Sequence, residues 1–162
     1  MKQIILGIDP GTRITGYGLI HFPSFSMEPL DFGCIRPPPN LPLQARYQIL
    51  FESLEALIEK HKPTAIAVES QFVLKNAQSA IKLGMAKGMV YLAAARKNIP
   101  LYEYAPKKAK LAVVGTGSAS KPQVQRMIQS LLHLPTLPEP EDAADALALA
   151  ICCSHQLRAS HV

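Results

Sequence analysis

Four carboxylates stand where this chain has a physical reason not to place them. Asp9 closes the apolar run Ile4, Ile5, Leu6, Gly7, Ile8 and is followed at once by Pro10 and Gly11. Glu69 closes a second short run, TAIAV from Thr64 to Val68. Asp142 and Asp145 sit three apart in EDAADALALAI, so a helix would present both on one face, about a turn from each other. An ionised carboxylate at the end of a buried strand is costly unless a cation or hydrogen-bond donors meet it. Some of these acids have ordinary uses: Asp-Pro-Gly is good turn chemistry, and Asp142 can cap a helix or face its dipole. Asp145 has neither use, because it lies inside an Ala- and Leu-rich helix. If the strands ending in Asp9 and Glu69 are parallel neighbours, their carboxyl ends meet on one edge, where sites in open α/β sheets form. Four carboxylates brought together there repel one another unless divalent cations sit among them. Hard oxygen donors select Mg²⁺ or Mn²⁺ over zinc. Two such ions about 4 Å apart would activate a water and stabilise the leaving oxygen of a phosphodiester.

The elements that must position these acids follow from periodicity. Residues 4–8 read as a buried strand, and 14–22, with Gly16 and Gly18, as a second strand antiparallel to it. A third strand is expected near 30–35, and the triple proline at 37–39 stiffens the connection that follows. Leu43, Tyr47, Leu50, Leu54, Leu57 and Ile58 recur at helical spacing, which predicts a helix over 43–60. A strand over 64–70, a long helix over 76–97, a strand over 100–104 and helices over 121–133 and 141–155 complete the chain. In the long helix Ala80, Gly84 and Gly88 form a smooth stripe. It suits close packing against the sheet, with a subunit interface as the alternative. The order implies an α/β fold with parallel and antiparallel strands mixed in one five-stranded sheet flanked by helices. One domain over 1–153 is expected, with a short polar tail, 154–162, for which disorder is the default.

The chain has 162 residues, enough for one core. No apolar stretch reaches membrane-spanning length, and the start MKQIILG has no export signal, which implies a cytoplasmic protein. Cys34, Cys152 and Cys153 have no metal-like spacing and read as reduced thiols; the five histidines include no HxxxH pair. The net charge of +5 is unevenly spread. From Lys75 to Arg126 there are ten basic residues against one acid, Glu103. A basic middle beside acidic ends suggests a polyanion held near a few placed carboxylates.

Four segments, GIDPGTRITGYG, AVESQFVLKNAQSAIKLGMAKG, EYAPKKAKLAVVGTGSASKPQV and EDAADALALAI, together resemble the RuvC family of Holliday junction resolvases. The resemblance runs from Met1 to about Cys153 with the motifs in order. It implies a ribonuclease H-like fold, a homodimer, and Mg²⁺-dependent nicking of two opposed strands at a four-way DNA junction during recombination and repair, leaving 5′ phosphates. By motif position the metal-binding catalytic acids would be Asp9, Glu69, Asp142 and Asp145. The intact pattern DAAD selects Asp142 over nearby Glu139 and Glu141. Lys110 and Lys121 match family lysines that contact phosphate or stabilise developing charge. Phe72 matches an aromatic residue that stacks on bases at the junction core; its alternative is a core phenylalanine. With Lys75 and Lys82, these lysines and Phe72 form the expected DNA-binding set. Two Mg²⁺ ions per site are implied, with Mn²⁺ able to substitute. One would lie between Asp9 and the acids of the last helix, the other between Asp9 and Glu69. A branch-migration helicase complex is the implied partner.

Two rival readings use the same residues. IDPGT also suits an actin-like phosphotransferase, but those proteins close two lobes over ATP and 162 residues make one. A junction-binding protein that has lost its chemistry would keep the fold, but it should drop an acid before anything else, and the acidic set is intact.

Overall fold

The computed structural model describes residues 2–70 and 76–160. A five-stranded sheet is built from β1 (Ile4–Asp9), β2 (Thr15–His21), β3 (Glu28–Ile35), β4 (Ala65–Glu69) and β5 (Leu101–Tyr104), in the order β3-β2-β1-β4-β5. β1, β2 and β3 run antiparallel in sequence, while β4 pairs parallel with both β1 and β5. This is the mixed α/β, ribonuclease H-like architecture expected. The parallel pairing of β1 with β4 sets Ile8 beside Val68, so Asp9 and Glu69 leave the sheet side by side at its carboxyl edge.

The helices divide between the two faces. On one, α1 (Leu43–His61) and α2 (Ala77–Arg96) cover Ile4, Leu6, Ile8, Leu19, Ile66 and Val68. On the other, α3 (Pro106–Val114), α4 (Lys121–Leu131) and α5 (Glu141–Ala159) pack over Ile5, Ile20, Ala65 and Ala67. Alternate residues of β1 thus feed opposite cores, as the period-2 geometry of a strand requires.

α5 lies close against β1 and β2, and small residues make that possible. A methyl group at Gly7 would run into the carbonyl of Ala146, and one at Gly16 into the carbonyl of Asp142. Ala143, Ala144, Ala146, Ala148 and Ala150 complete the seat from the helix side and are all buried. Packing this tight fixes the azimuth of α5, and with it the direction in which Asp142 and Asp145 project.

Three expectations need correction. The Ala80, Gly84, Gly88 stripe does not face the sheet: a Cβ built on Gly84 or Gly88 would meet nothing within 4 Å, and it is Ala86, Val90, Ala93 and Ala94 that are buried. The stripe lies among exposed Ile81, Met85 and Leu92 instead. Between the strand expected over 100–104 and the helix expected from 121, where no element is expected, lies a nine-residue helix, α3, begun by Pro106 and closed by Gly115 with φ 89°. The last helix continues past His155 to Ala159, and Ser154 is buried, its hydroxyl donating to the Ile151 carbonyl at 2.7 Å. Arg158 holds that last turn down, donating to the Ser26 carbonyl and lying over the Phe22 ring. Among the described residues no helix is long and apolar enough to cross a membrane.

Candidate active site

Asp9, Glu69, Asp142 and Asp145 line one cavity of about 390 Å³ at the carboxyl edge of β1 and β4, with Lys121 in its wall. Each reaches it for a local reason. Asp9 is carried in by β1, and the turn after it is clasped by Thr15, whose hydroxyl contacts both the N–H and the carbonyl of Gly11 at 3.4 and 3.5 Å. Glu69 is the last residue of β4, and the chain beyond it is held by Ser70 N–H donating to the Tyr104 carbonyl at 2.9 Å. Asp142 and Asp145 come from the first turns of α5, whose seat on Gly16 puts Asp142 directly over the β2 residue that pairs with Asp9.

The electrostatics record the crowding. Asp9 is pushed up to about 9, first by burial, then by the charge of Glu69 and a side-chain hydrogen bond with it, then by Asp145 and Asp142. Asp145 is pushed up to about 6 by burial, with Lys121 opposing the rise and Glu69, Asp142 and Glu141 adding to it. Burial and three neighbouring carboxylates thus hold the Asp9 carboxyl far above the usual carboxylate range, with Glu69 as its hydrogen-bond partner.

As the side chains stand, no group of three or more His, Cys, Asp or Glu among the described residues is arranged to hold a metal ion. The chemistry of the donor set nevertheless fits a hard divalent cation. Four carboxylates face one cavity, burial and mutual repulsion raise Asp9 and Asp145, and among the described residues one lysine, Lys121, lines the same wall. A divalent ion in that cavity would offset the mutual repulsion that raises Asp9 and Asp145.

A second cavity of about 250 Å³ adjoins the first, shares Glu69, Lys121 and Asp145 with it, and adds Lys110 from α3. Both lysines expected near the acids are thus brought to them. Lys82 is not: it is exposed on α2, beside Leu83, which does line the larger cavity. Phe72 and Lys75 lie outside the described residues. Sequence reasoning passed over Ser79 and Leu83, which bring the start of α2 to the cavity. The available signal was Asn76, whose side chain caps α2 by accepting from the N–H groups of Gln78 and Ser79 and so points that helix start at the acids. It also passed over Glu141, which pairs with Lys121 at 3.0 Å.

Comparison with known proteins identifies the family. The RuvC of Protochlamydia amoebophila, a crossover junction endodeoxyribonuclease, is 60% identical over 151 residues, 93% of this chain and 90% of its own length. The Chlamydia pneumoniae enzyme of the same name is 47% identical over 161 residues, 98% of this chain and 96% of its own. Among solved structures, T. thermophilus RuvC in complex with a Holliday junction substrate superposes with a TM-score of 0.92 at 31% identity, covering 98% of this chain and 96% of that one. The yeast mitochondrial Holliday junction resolvase Ydc2 shares the fold, with a TM-score of 0.66 at 17% identity. The family model for crossover junction endodeoxyribonuclease RuvC matches residues 5–153, from the first buried strand into α5, and the chain belongs to that family.

Proposed function

We propose that this protein is a structure-selective endonuclease that resolves four-way DNA junctions by paired nicks during homologous recombination and repair. The observation that carries the reading is the meeting of Asp9, Glu69, Asp142 and Asp145 in one cavity with Lys121, next to a cavity holding Lys110. Divalent ions, Mg²⁺ with Mn²⁺ as a substitute, would be held by the four acids and would supply an activated water and charge neutralisation at the leaving oxygen. Asp9, hydrogen-bonded to Glu69 and facing the acids of α5, is the residue best situated to serve both ions. Asp142 and Asp145, fixed by the seat of α5, would orient the attacking side. Glu69, which lines both cavities, would face the departing 3′ oxygen and leave a 5′ phosphate. Lys121 and Lys110 would hold the scissile phosphate and balance charge in the transition state. Phe72 and Lys75 remain candidate contacts to the junction core.

The exposed face of α2 supports a homodimer. Ile81, Met85 and Leu92 are 63%, 47% and 49% exposed, and Gly84 and Gly88 beside them leave room for a second backbone. A two-fold pairing would present two sites to opposed strands of a two-fold symmetric junction. A branch-migration helicase is the further partner that family membership suggests.

Cleavage of a labelled mobile four-way junction, with Mg²⁺ and with EDTA, beside a linear duplex of the same sequence, tests the proposal. Symmetric, metal-dependent nicks on the junction alone are expected. Metal-independent cutting, or equal cutting of the duplex, would overturn it. Binding without cutting, at several sequences and with Mn²⁺ also supplied, would replace it with a non-catalytic junction binder.

A further inference from the structure

We propose that Glu141 is a positioning residue for Lys121, holding its ammonium group at the rim of the carboxylate cavity so that it does not take the place of a divalent cation beside Asp145. The inference rests on the metal-dependent reading above. Lys121 is the first residue of α4, fixed there by Pro122 and by the reciprocal capping of Ser120 and Gln123. Glu141 is the first residue of α5, immediately behind Pro140. Their side chains meet with Lys121 Nζ donating to Glu141 Oε2 at 3.0 Å. Glu141 and Asp145 are four apart on one helix, so they project from the same face. Lys121 lines the cavity with the four acids, whereas Glu141 lies outside that wall and lines a separate surface cavity with Gln125, Glu139 and Pro140. The ammonium therefore stands between an outer carboxylate and an inner one.

The pair is not there to hold the fold together. Its side chains are 58% and 56% exposed, and exposed ion pairs contribute little to stability because solvent screens them and two long side chains must be ordered. What the pair does is choose where a flexible four-carbon arm keeps its charge. Besides Glu141, the carboxylates whose charge acts on Lys121 are Asp145 and Asp142. Without Glu141, the ammonium would compete with an incoming cation for their oxygens. With Glu141 present, it has an anion to withdraw to and still stays near the site, available to a phosphate.

Mn²⁺ binding to the full-length, DNA-free protein, read from the free-ion EPR signal, tests this in a four-member cycle: wild type, Glu141→Gln, Lys121→Met and the double variant. Glu141→Gln is expected to weaken Mn²⁺ binding roughly three- to tenfold when Lys121 is present and less than about twofold when it is replaced, a coupling typical of residues in contact. Glu141→Asp should recover part of the loss. Equal losses in both backgrounds would make Glu141 merely one more negative charge near the ion, and no loss in either would make it idle; both results overturn the proposal. A melting midpoint lowered by several degrees in EDTA for Glu141→Gln would assign the pair to the fold and overturn it as well. If the wild-type protein takes up no Mn²⁺, the metal reading fails and this inference fails with it.

Discussion

Glycine is used in opposite ways on the two faces of this sheet. Gly7 and Gly16 lie beneath α5, where any side chain would collide with the backbone of that helix at Ala146 and Asp142. Gly84 and Gly88 lie on α2, where a side chain would meet nothing. The first pair brings an element of the same chain close enough to aim two carboxylates at Asp9. The second leaves a smooth strip among exposed Ile81, Met85 and Leu92, where the homodimer proposed above would bring a second copy. The comparison separates a face that brings four carboxylates together from a face left open to solvent. Each half of it can be broken by experiment.

The largest effect is expected at the acids that meet beneath α5. Asp9→Asn and Asp145→Asn should each lower junction cutting by roughly a thousandfold or more, the scale on which loss of charge stabilisation at a reacting centre is felt. Junction binding in Ca²⁺, read by gel shift, should survive. Cutting at wild-type rates by either variant would remove that residue from the chemistry.

Next comes the seat itself. Gly16→Ala alters no acid, yet its methyl group must displace the Asp142 carbonyl or the strand beneath it. Overpacking of this kind costs about 1–3 kcal/mol. A misplacement near 1 Å at a reacting centre can cost roughly a hundredfold in rate. Urea unfolding and junction cutting should both register the change. A Gly16→Ala protein that cuts normally would mean that α5 need not sit so close.

The acids themselves should weaken the fold that carries them. The native state keeps a proton on Asp9 up to about 9, whereas the unfolded chain releases it near 3.8. Native protein therefore binds more protons than unfolded protein between those values, and stability in EDTA should fall as pH rises through that window. Asp145, pushed up to about 6, adds to the fall at its lower end. Asp9→Asn removes most of the dependence. Since the site is open to solvent and Lys121 adjoins it, the gain at pH 8 should be about 2 kcal/mol rather than the full linkage value. Thermal melts of both proteins from pH 5 to 9 check this. A wild-type midpoint that is flat over that range in EDTA would contradict the crowding described here.

How much of this was legible in the sequence depended on the range of the interaction involved. Strands ending in Asp9 and Glu69 announce themselves because apolar periodicity and turn residues are local signals, and parallel pairing then forces the two acids together. Asp142 and Asp145 are legible because their spacing is helical and their surroundings are alanine. The orientation of the Gly84 stripe was not, since small residues suit either a sheet or a second copy and only the burial of Ala86, Val90 and Ala93 decides between them. α3 was obscured by its lysines and by the glycines and serines that follow it. Glu141 was masked by its neighbours: in EPEDAAD three acids stand almost together, and only the placement of Lys121 across from α5 singles one of them out.

The smallest expected effect is the one that divides the two faces most sharply. Gly84→Ala adds a methyl group in open space on an exposed helix, where replacing glycine by alanine typically gains about 0.8–1 kcal/mol of helix stability. On the α5 face the same change at Gly16 is expected to destabilise, so the two substitutions should move the unfolding midpoint in opposite directions. If the strip on α2 is where a second copy approaches, the gain will be offset by weaker association. Sedimentation equilibrium should then show a dimer several-fold more dissociable, even though each subunit unfolds at higher denaturant. A Gly84→Ala protein that is more stable and dimerises unchanged would show that the second backbone does not come close at that position. The homodimer would then have to be sought along Ile81, Met85 and Leu92 without the glycines, through side chains rather than through helix-to-helix contact.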